Sequence, residues 1–237
     1  MTAGPTRGVP VPPLRPGEPP IAVLVDFDGT IARTDVSAAV IRASLPPGRG
    51  MPWNEDAETS WPEMMADAVA DFPRDAAPLL AVAASQPLDC SFTALASLAQ
   101  AAGVALEVVS DGFGFFIEPA LRRLGAAWVP IASGATAFGG SRPTIEFPFG
   151  NTDCLVCGTC KRNRVWAHQA TGRRVVFVGD GESDRFAGEL TGDPAAMASA
   201  LVKLSKENLS NLHPHPLYAA FYYSHPPVVE RIRNLKK

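Results

Sequence analysis

Within these 237 residues there is no run of 18 apolar residues, so no segment reads as a membrane-spanning helix. The first residues lack the basic-then-apolar pattern of a secretory signal. Histidine and cysteine are both scarce, at four each. Three of the cysteines, Cys154, Cys157 and Cys160, are bunched together, which is no disulfide framework and predicts a reduced, cytoplasmic protein. Lys and Arg number 21 against 24 Asp and Glu, and a net charge of −3 provides no field to recruit nucleic acid or an anionic membrane. Arginine clusters and aromatic stacking platforms are missing as well. The composition leaves the oligomeric state open.

What is present is enough for a core: 46% of the residues are hydrophobic and 19% charged. The distribution is uneven. Residues 1–20 hold seven prolines and little to bury, and read as a flexible lead-in. Residues 190–237 carry six Lys or Arg against three Asp or Glu, a compositional boundary.

Between these ends, three short apolar runs each finish in Asp, Ser or Gly: "IAVLVDFDGT", "ALEVVSDG" and "RRVVFVGDGESD". A buried parallel strand that delivers side chains to its C-terminal loop has this form. Helical stretches precede the second and third, "FTALASLAQAAG" and "RNRVWAHQATG". The alternation predicts an α/β fold with an open, Rossmann-like parallel sheet, whose ligand sits beyond the strand ends. About 70 residues separate the first two strands, too many for a structureless loop, and "AETSWPEMMADAVADF" has helical spacing. A small helical insertion is expected there.

Asp26 and Asp28 flank Phe27 at the end of the first strand. Side chains at i and i+2 point the same way, so two carboxylates converge and repel unless a cation relieves them. Mg²⁺ is the simplest relief, since it takes oxygen ligands and keeps places for water and phosphate. Asp180 and Asp184 can supply the opposite wall of that metal site. Ser110 with the backbone amides after it, at Asp111 and Gly112, and Lys161 are suited to bind phosphate. Taken alone, each has a plainer use: a strand-end Asp pair can cap helices, Ser110 can begin a turn, and Lys161 can be a solvated side chain. "CLVCGTCK" could bind zinc with Asp153 or His168 as a fourth ligand, but no second CxxC exists. Thiols that shape the loop aiming Lys161 are the preferred reading.

"DFDGT", "SDG", a lysine and "GDGESD", in this order, resemble the four motifs of the haloacid dehalogenase superfamily of phosphohydrolases. The likeness spans about residues 21–188. It is strongest to the phosphoserine-phosphatase-like branch, and within it to phosphatases related to the methionine-salvage enzyme acting on 2-hydroxy-3-keto-5-methylthiopentenyl-1-phosphate. The resemblance implies a core of residues 21–33 and 86–189 with a helical cap at 34–85. It implies Asp26 as nucleophile, Asp28 as general acid and base, and Ser110 and Lys161 on the phosphate. Mg²⁺ would be held by Asp26, the Asp28 carbonyl and Asp180, with Asp184 at its edge.

From about residue 185 the text changes. "KLSKENLSNLHPHPLY" and "FYYSHPPVVERI" resemble the C-terminal segment of the CAAX-prenyl-endopeptidase family of zinc metallopeptidases. The HExxH motif which that chemistry needs is absent, since the histidines fall at 168, 213, 215 and 225. The expectation is a Mg²⁺-dependent phosphomonoesterase of small phosphorylated metabolites, fused to a helical, peptidase-like tail at 190–237 and lacking its last core strand. The alternatives are an impaired fusion that only binds ligands, and a non-catalytic peptidase fragment.

Overall fold

The computed structural model describes residues 20–55, 59–151 and 156–180. Strand β1 (Ile21–Val25) leads into a wide turn at Phe27–Ile31, where Gly29 takes a positive φ of 72°. Four helices follow: α1 (Val36–Ser44), α2 (Pro52–Glu55), α3 (Trp61–Ala70) and α4 (Ala77–Ser85). The chain then runs through α5 (Ser91–Ala102), β2 (Ala105–Phe113), α6 (Gly114–Arg123), β3 (Ile131–Ala137), β4 (Thr144–Glu146), α7 (Lys161–Gln169) and β5 (Arg174–Val178). The strands form one sheet in the order β4-β3-β2-β1-β5, parallel except for β4.

Local chemistry sets the helix ends. Asp35 caps α1 by accepting from the Ala38 amide at 2.7 Å. Ser60 and Glu63 form a capping box at α3, and Gly103 closes α5 in the left-handed region at φ 64°. Alternation along β1 then divides the core. Ala22 and Leu24 pack with Val109, Val165 of α7, Val175 and Phe177 on one face. Val23 and Val25 pack on the other, against the larger cluster from α1, α3, α5 and α6. Within that cluster Phe113 is fully buried, its ring 5.5 Å from Phe72 and 5.9 Å from Phe116. Truncating such a side chain costs about 3–5 kcal/mol.

The chain leaves for the α1–α4 segment and returns from it side by side. Ala32 and Leu88 form an isolated antiparallel bridge. The Arg33 amide donates to the Pro87 carbonyl at 3.0 Å, and the Asp89 amide to the Ile31 carbonyl at 2.8 Å.

Three of the five strands coincide with the three apolar runs. The other two, β3 and β4, were not expected: "IASGATA" is too rich in small residues to read as a buried strand, and β4 is only three residues long. Among the described residues β5 bonds to β1 alone and forms the sheet edge. The helical tail and the missing last strand both concern residues 181–237, outside the described residues, as does most of the proline-rich lead-in.

Candidate active site

The ends of β1, β2 and β5 and the start of α7 meet at one place. Asp26, at the mouth of β1, is 6% exposed, and its own amide continues the ladder by donating to the Val178 carbonyl at 2.8 Å. One carboxylate oxygen accepts from the Phe27 amide at 2.7 Å. The other lies 3.0 Å from the Lys161 Nζ.

Lys161 is the first residue of α7 and is only 4% exposed. A cation at a helix N-terminus works against the helix dipole, and a buried one also loses its hydration. Asp26 offsets both costs. The plainer reading of Lys161 as a solvated side chain is therefore ruled out by its burial.

Asp28 also lines the cavity but takes other partners. Its carboxylate accepts from the Val36 amide at 2.8 Å and from the Ser37 hydroxyl at 2.6 Å, both at the start of α1. Burial, followed by the negative charge of Asp35, pushes its pKa up to about 7, and the bonds from Ser37 and Val36 reverse this only in part. A carboxyl so placed can carry a proton at neutral pH and release it.

Ser110 lies in β2 at 1% exposure, and its Oγ accepts from the Gly112 amide at 3.0 Å. Gly112 sits where no side chain fits. An added Cβ would come within 2.7 Å of the Ser37 Oγ and 3.0 Å of an Asp28 carboxylate oxygen. The Asp111 side chain accepts from the Thr159 amide at 2.8 Å, so it ties the loop before Lys161 to β2. Asp180, just past β5, places its carboxylate where a Cβ on Gly29 would lie, beside the turn that carries Asp28. Asp184 lies outside the described residues.

The cavity of about 250 Å³ at these groups is also lined by Ile41, Trp53, Trp61 and Met65, with the two indoles stacked at 6.1 Å. Cys157 also borders it, while Cys160 is buried immediately before α7. Cys154 and Asp153 lie outside the described residues, and His168 is engaged by Glu107 at 2.6 Å. Among the described residues no three His, Cys, Asp or Glu side chains converge on a metal position.

Sequence reasoning missed Ser37, which holds Asp28, and Glu107, which holds α7. The signal for Glu107 was available: a lone acid inside the apolar run "ALEVV" must find a partner if the strand is buried.

With the geometry in place, comparison with known proteins becomes informative. Residues 23–189 match the model of haloacid dehalogenase-like hydrolases. The chain belongs to that family. It is 25% identical over 221 residues to a 2-hydroxy-3-keto-5-methylthiopentenyl-1-phosphate phosphatase from Brevibacillus brevis, covering 85% of this chain and 92% of that protein. Its fold is like that of a substrate-bound phosphoserine phosphatase, with a TM-score of 0.53 and 13% identity over 73% of this chain and 84% of the other. An apo phosphoserine phosphatase gives 0.51 and 14% identity over 74% and 82%. The chain is thus a hydrolase of the phosphatase type.

Residues 179–237 match peptidase family M48. Over 54 residues they are 52% identical to a CAAX prenyl protease 1 homolog from Arabidopsis thaliana, of which this chain spans only 12%. The two family matches overlap at residues 179–189, the stretch that begins with the acidic loop after β5.

Proposed function

We propose that the chain is a Mg²⁺-dependent phosphomonoesterase that hydrolyses a small phosphorylated metabolite through an aspartyl-phosphate on Asp26. One observation carries this reading: a buried strand-end carboxylate, paired with a buried lysine at 3.0 Å, shares a small cavity with a second carboxyl whose pKa rises to about 7. An ordinary structural ion pair needs no cavity and no protonatable neighbour.

The roles follow from position. Asp26 attacks phosphorus and expels the alcohol, forming an acyl phosphate that water then hydrolyses. Asp28 gives its proton to the leaving oxygen and takes one back from the attacking water, for which a pKa near the working pH is suited. Lys161, the Ser110 hydroxyl and the amides that follow it counter the negative charge on the nonbridging oxygens. The Asp111 side chain fixes the Lys161 loop, so its own contribution to phosphate is through its backbone amide.

The donors fit a hard cation. The Asp26 carboxylate, the Asp28 main-chain carbonyl and the Asp180 carboxylate are oxygens from two adjacent strand ends, with Asp184 as a further ligand in this proposal. Such a set leaves positions for water and phosphate. When bound, Mg²⁺ neutralises charge on the phosphoryl oxygens.

The helical segment 34–85 acts in this proposal as a cap over the site, since Ile41, Trp53, Trp61 and Met65 all border the cavity. Its apolar wall favours an ester whose alcohol has a nonpolar part. Free thiols at Cys90 and Cys160 support a reducing, cytoplasmic setting, and no helix among the described residues is long and apolar enough to cross a membrane. The peptidase-like tail reads as a fusion that brings no peptidase chemistry, because HExxH is lacking in these 237 residues.

The test is turnover of p-nitrophenyl phosphate by folded protein, with and without Mg²⁺, compared with Asp26→Asn. Mg²⁺-dependent release of p-nitrophenol that disappears in the variant is expected; no turnover by the folded wild type would reject the enzyme reading.

A further inference from the structure

Lys161 must be held in a costly place, and α7 has little apolar surface with which to hold it. Within the helix only Lys161 and Val165 are buried. Its first turn carries Lys161, Arg162 and Arg164, all cations at the end where the helix dipole opposes them. Packing alone does not fix such a helix on a sheet.

Glu107 supplies what packing lacks. It lies in β2, paired in register with Leu24 of β1, two residues before Asp26, and its side chain is 6% exposed. The Arg164 guanidinium grips it with two bonds, Nε to Oε1 at 2.8 Å and Nη2 to Oε2 at 3.0 Å. The His168 Nε2 lies 2.6 Å from Oε2. The Arg164 guanidinium also stacks over the Phe149 ring at 5.4 Å. Lys161, Arg164 and His168 stand at i, i+3 and i+7, on one face of α7. The same rigid helix therefore presents Lys161 to Asp26 at one end and grips Glu107 along its length.

We propose that Glu107, through Arg164 and His168, is a positioning residue for catalysis: it anchors α7 to the sheet and so sets the distance between Lys161 and the reacting carboxylate. The inference rests on the phosphatase reading. A fork of two parallel bonds fixes both the rotation and the shift of the helix, which a single point contact does not. Loss of the anchor moves Lys161 relative to Asp26, and misplacement by about 1 Å can cost on the order of a hundredfold in rate.

The test is a double-mutant cycle in the full chain with Mg²⁺ and p-nitrophenyl phosphate. Glu107→Gln keeps the size and removes the charge. It is expected to lower kcat/KM by roughly ten- to a hundredfold and to weaken inhibition by orthovanadate, a phosphate mimic. In the Lys161→Ala background the same change should cost little more, because the group being positioned is gone. Arg164→Lys, which trades the fork for a point contact, should give a smaller loss of the same kind. Glu118→Gln breaks an exposed Arg–Glu pair on α6 and should change nothing.

Equal losses from Glu107→Gln in the wild-type and Lys161→Ala backgrounds would overturn the proposal, as would an unchanged kcat/KM in folded protein. If Glu107→Gln does not fold, Arg164→Lys and His168→Asn carry the same cycle with the same criteria. A wild type that binds orthovanadate but turns nothing over removes the phosphatase reading, and the anchor's catalytic role with it. A working wild type with an uncoupled Glu107 removes the anchor alone.

Discussion

On the strand side of the cavity stand Asp26, Ser110 and Gly112, each buried and held by a named hydrogen bond, with Lys161 brought to Asp26 by α7 packed on the sheet. On the helix side stand Ile41, Trp53, Trp61 and Met65, which offer surface and shape. The two walls divide the work. Strand ends are rigid because every strand is bonded to its neighbours, so they suit groups whose positions must be exact to a fraction of an ångström. Helices joined by loops can be repacked, so they suit the part of a ligand that differs from one substrate to the next.

The strongest way to break this division is at Asp26, the proposed nucleophile. Asp26→Asn should reduce kcat for p-nitrophenyl phosphate by at least roughly 10⁴-fold with the fold retained, as circular dichroism and gel filtration can verify. Next come the groups that answer the charge. Lys161→Ala should lower kcat/KM by about 10²–10³-fold, and it should also cost stability, because it leaves Asp26 buried without its cation. Gly112→Ala should do comparable harm to activity, since its Cβ has no room between Ser37 and Asp28.

The helix wall should fail differently. Trp53→Ala with Trp61→Ala should raise KM by up to about tenfold for esters of apolar alcohols and leave kcat for a small alkyl phosphate nearly unchanged. A large loss of kcat with small substrates would erase the distinction between the walls.

The smallest effect concerns stability and pH. Folding raises Asp28 from an ordinary 3.8 to about 7, so the folded state holds that proton more tightly than the unfolded chain. The sign is then fixed: the associated stability is fully present below about pH 4 and is lost as pH rises through 7. Asp28 keeps an open side toward the cavity, so water there moderates the effect. Without divalent cations, Asp28→Asn should melt about 2–6 °C above the wild type at pH 8, and the gap should narrow below pH 7 and close by about pH 4. A gap that widens on acidification would reverse the assignment.

Much of this was legible before any coordinates. Strand β1 and its acidic turn could be read because a parallel strand buried on both faces is a continuous apolar run, and an abrupt Asp marks its mouth. Ser110 was expected at the end of the second apolar run and Lys161, less clearly, from the order of the four motifs; both line the cavity with Asp26. Strand β3 could not be read, because Ala, Ser, Gly and Thr are as common in loops; it is a strand because β2 offers it an edge. The partner of Asp28 was hidden for a similar reason. Asp28 lies in the turn after β1, beyond the strand's alternation, and only the three-dimensional approach of α1 brings in Val36 and Ser37. Glu107 was visible as an anomaly, yet Arg164 and His168 are 57 and 61 residues away, and no local pattern joins them.

The bridge between Ala32 and Leu88 has a further consequence. Because the chain departs and returns through adjacent, mutually bonded residues, the sheet experiences everything between them as a single loop with both feet planted together. The entropy of closing such a loop grows only slowly with its length. Residues 33–87 are therefore a region where lineages can lengthen, shorten or exchange sequence with little disturbance to the position of Asp26. The strand ends that carry Asp26 and Ser110 can stay fixed while the segment over them changes.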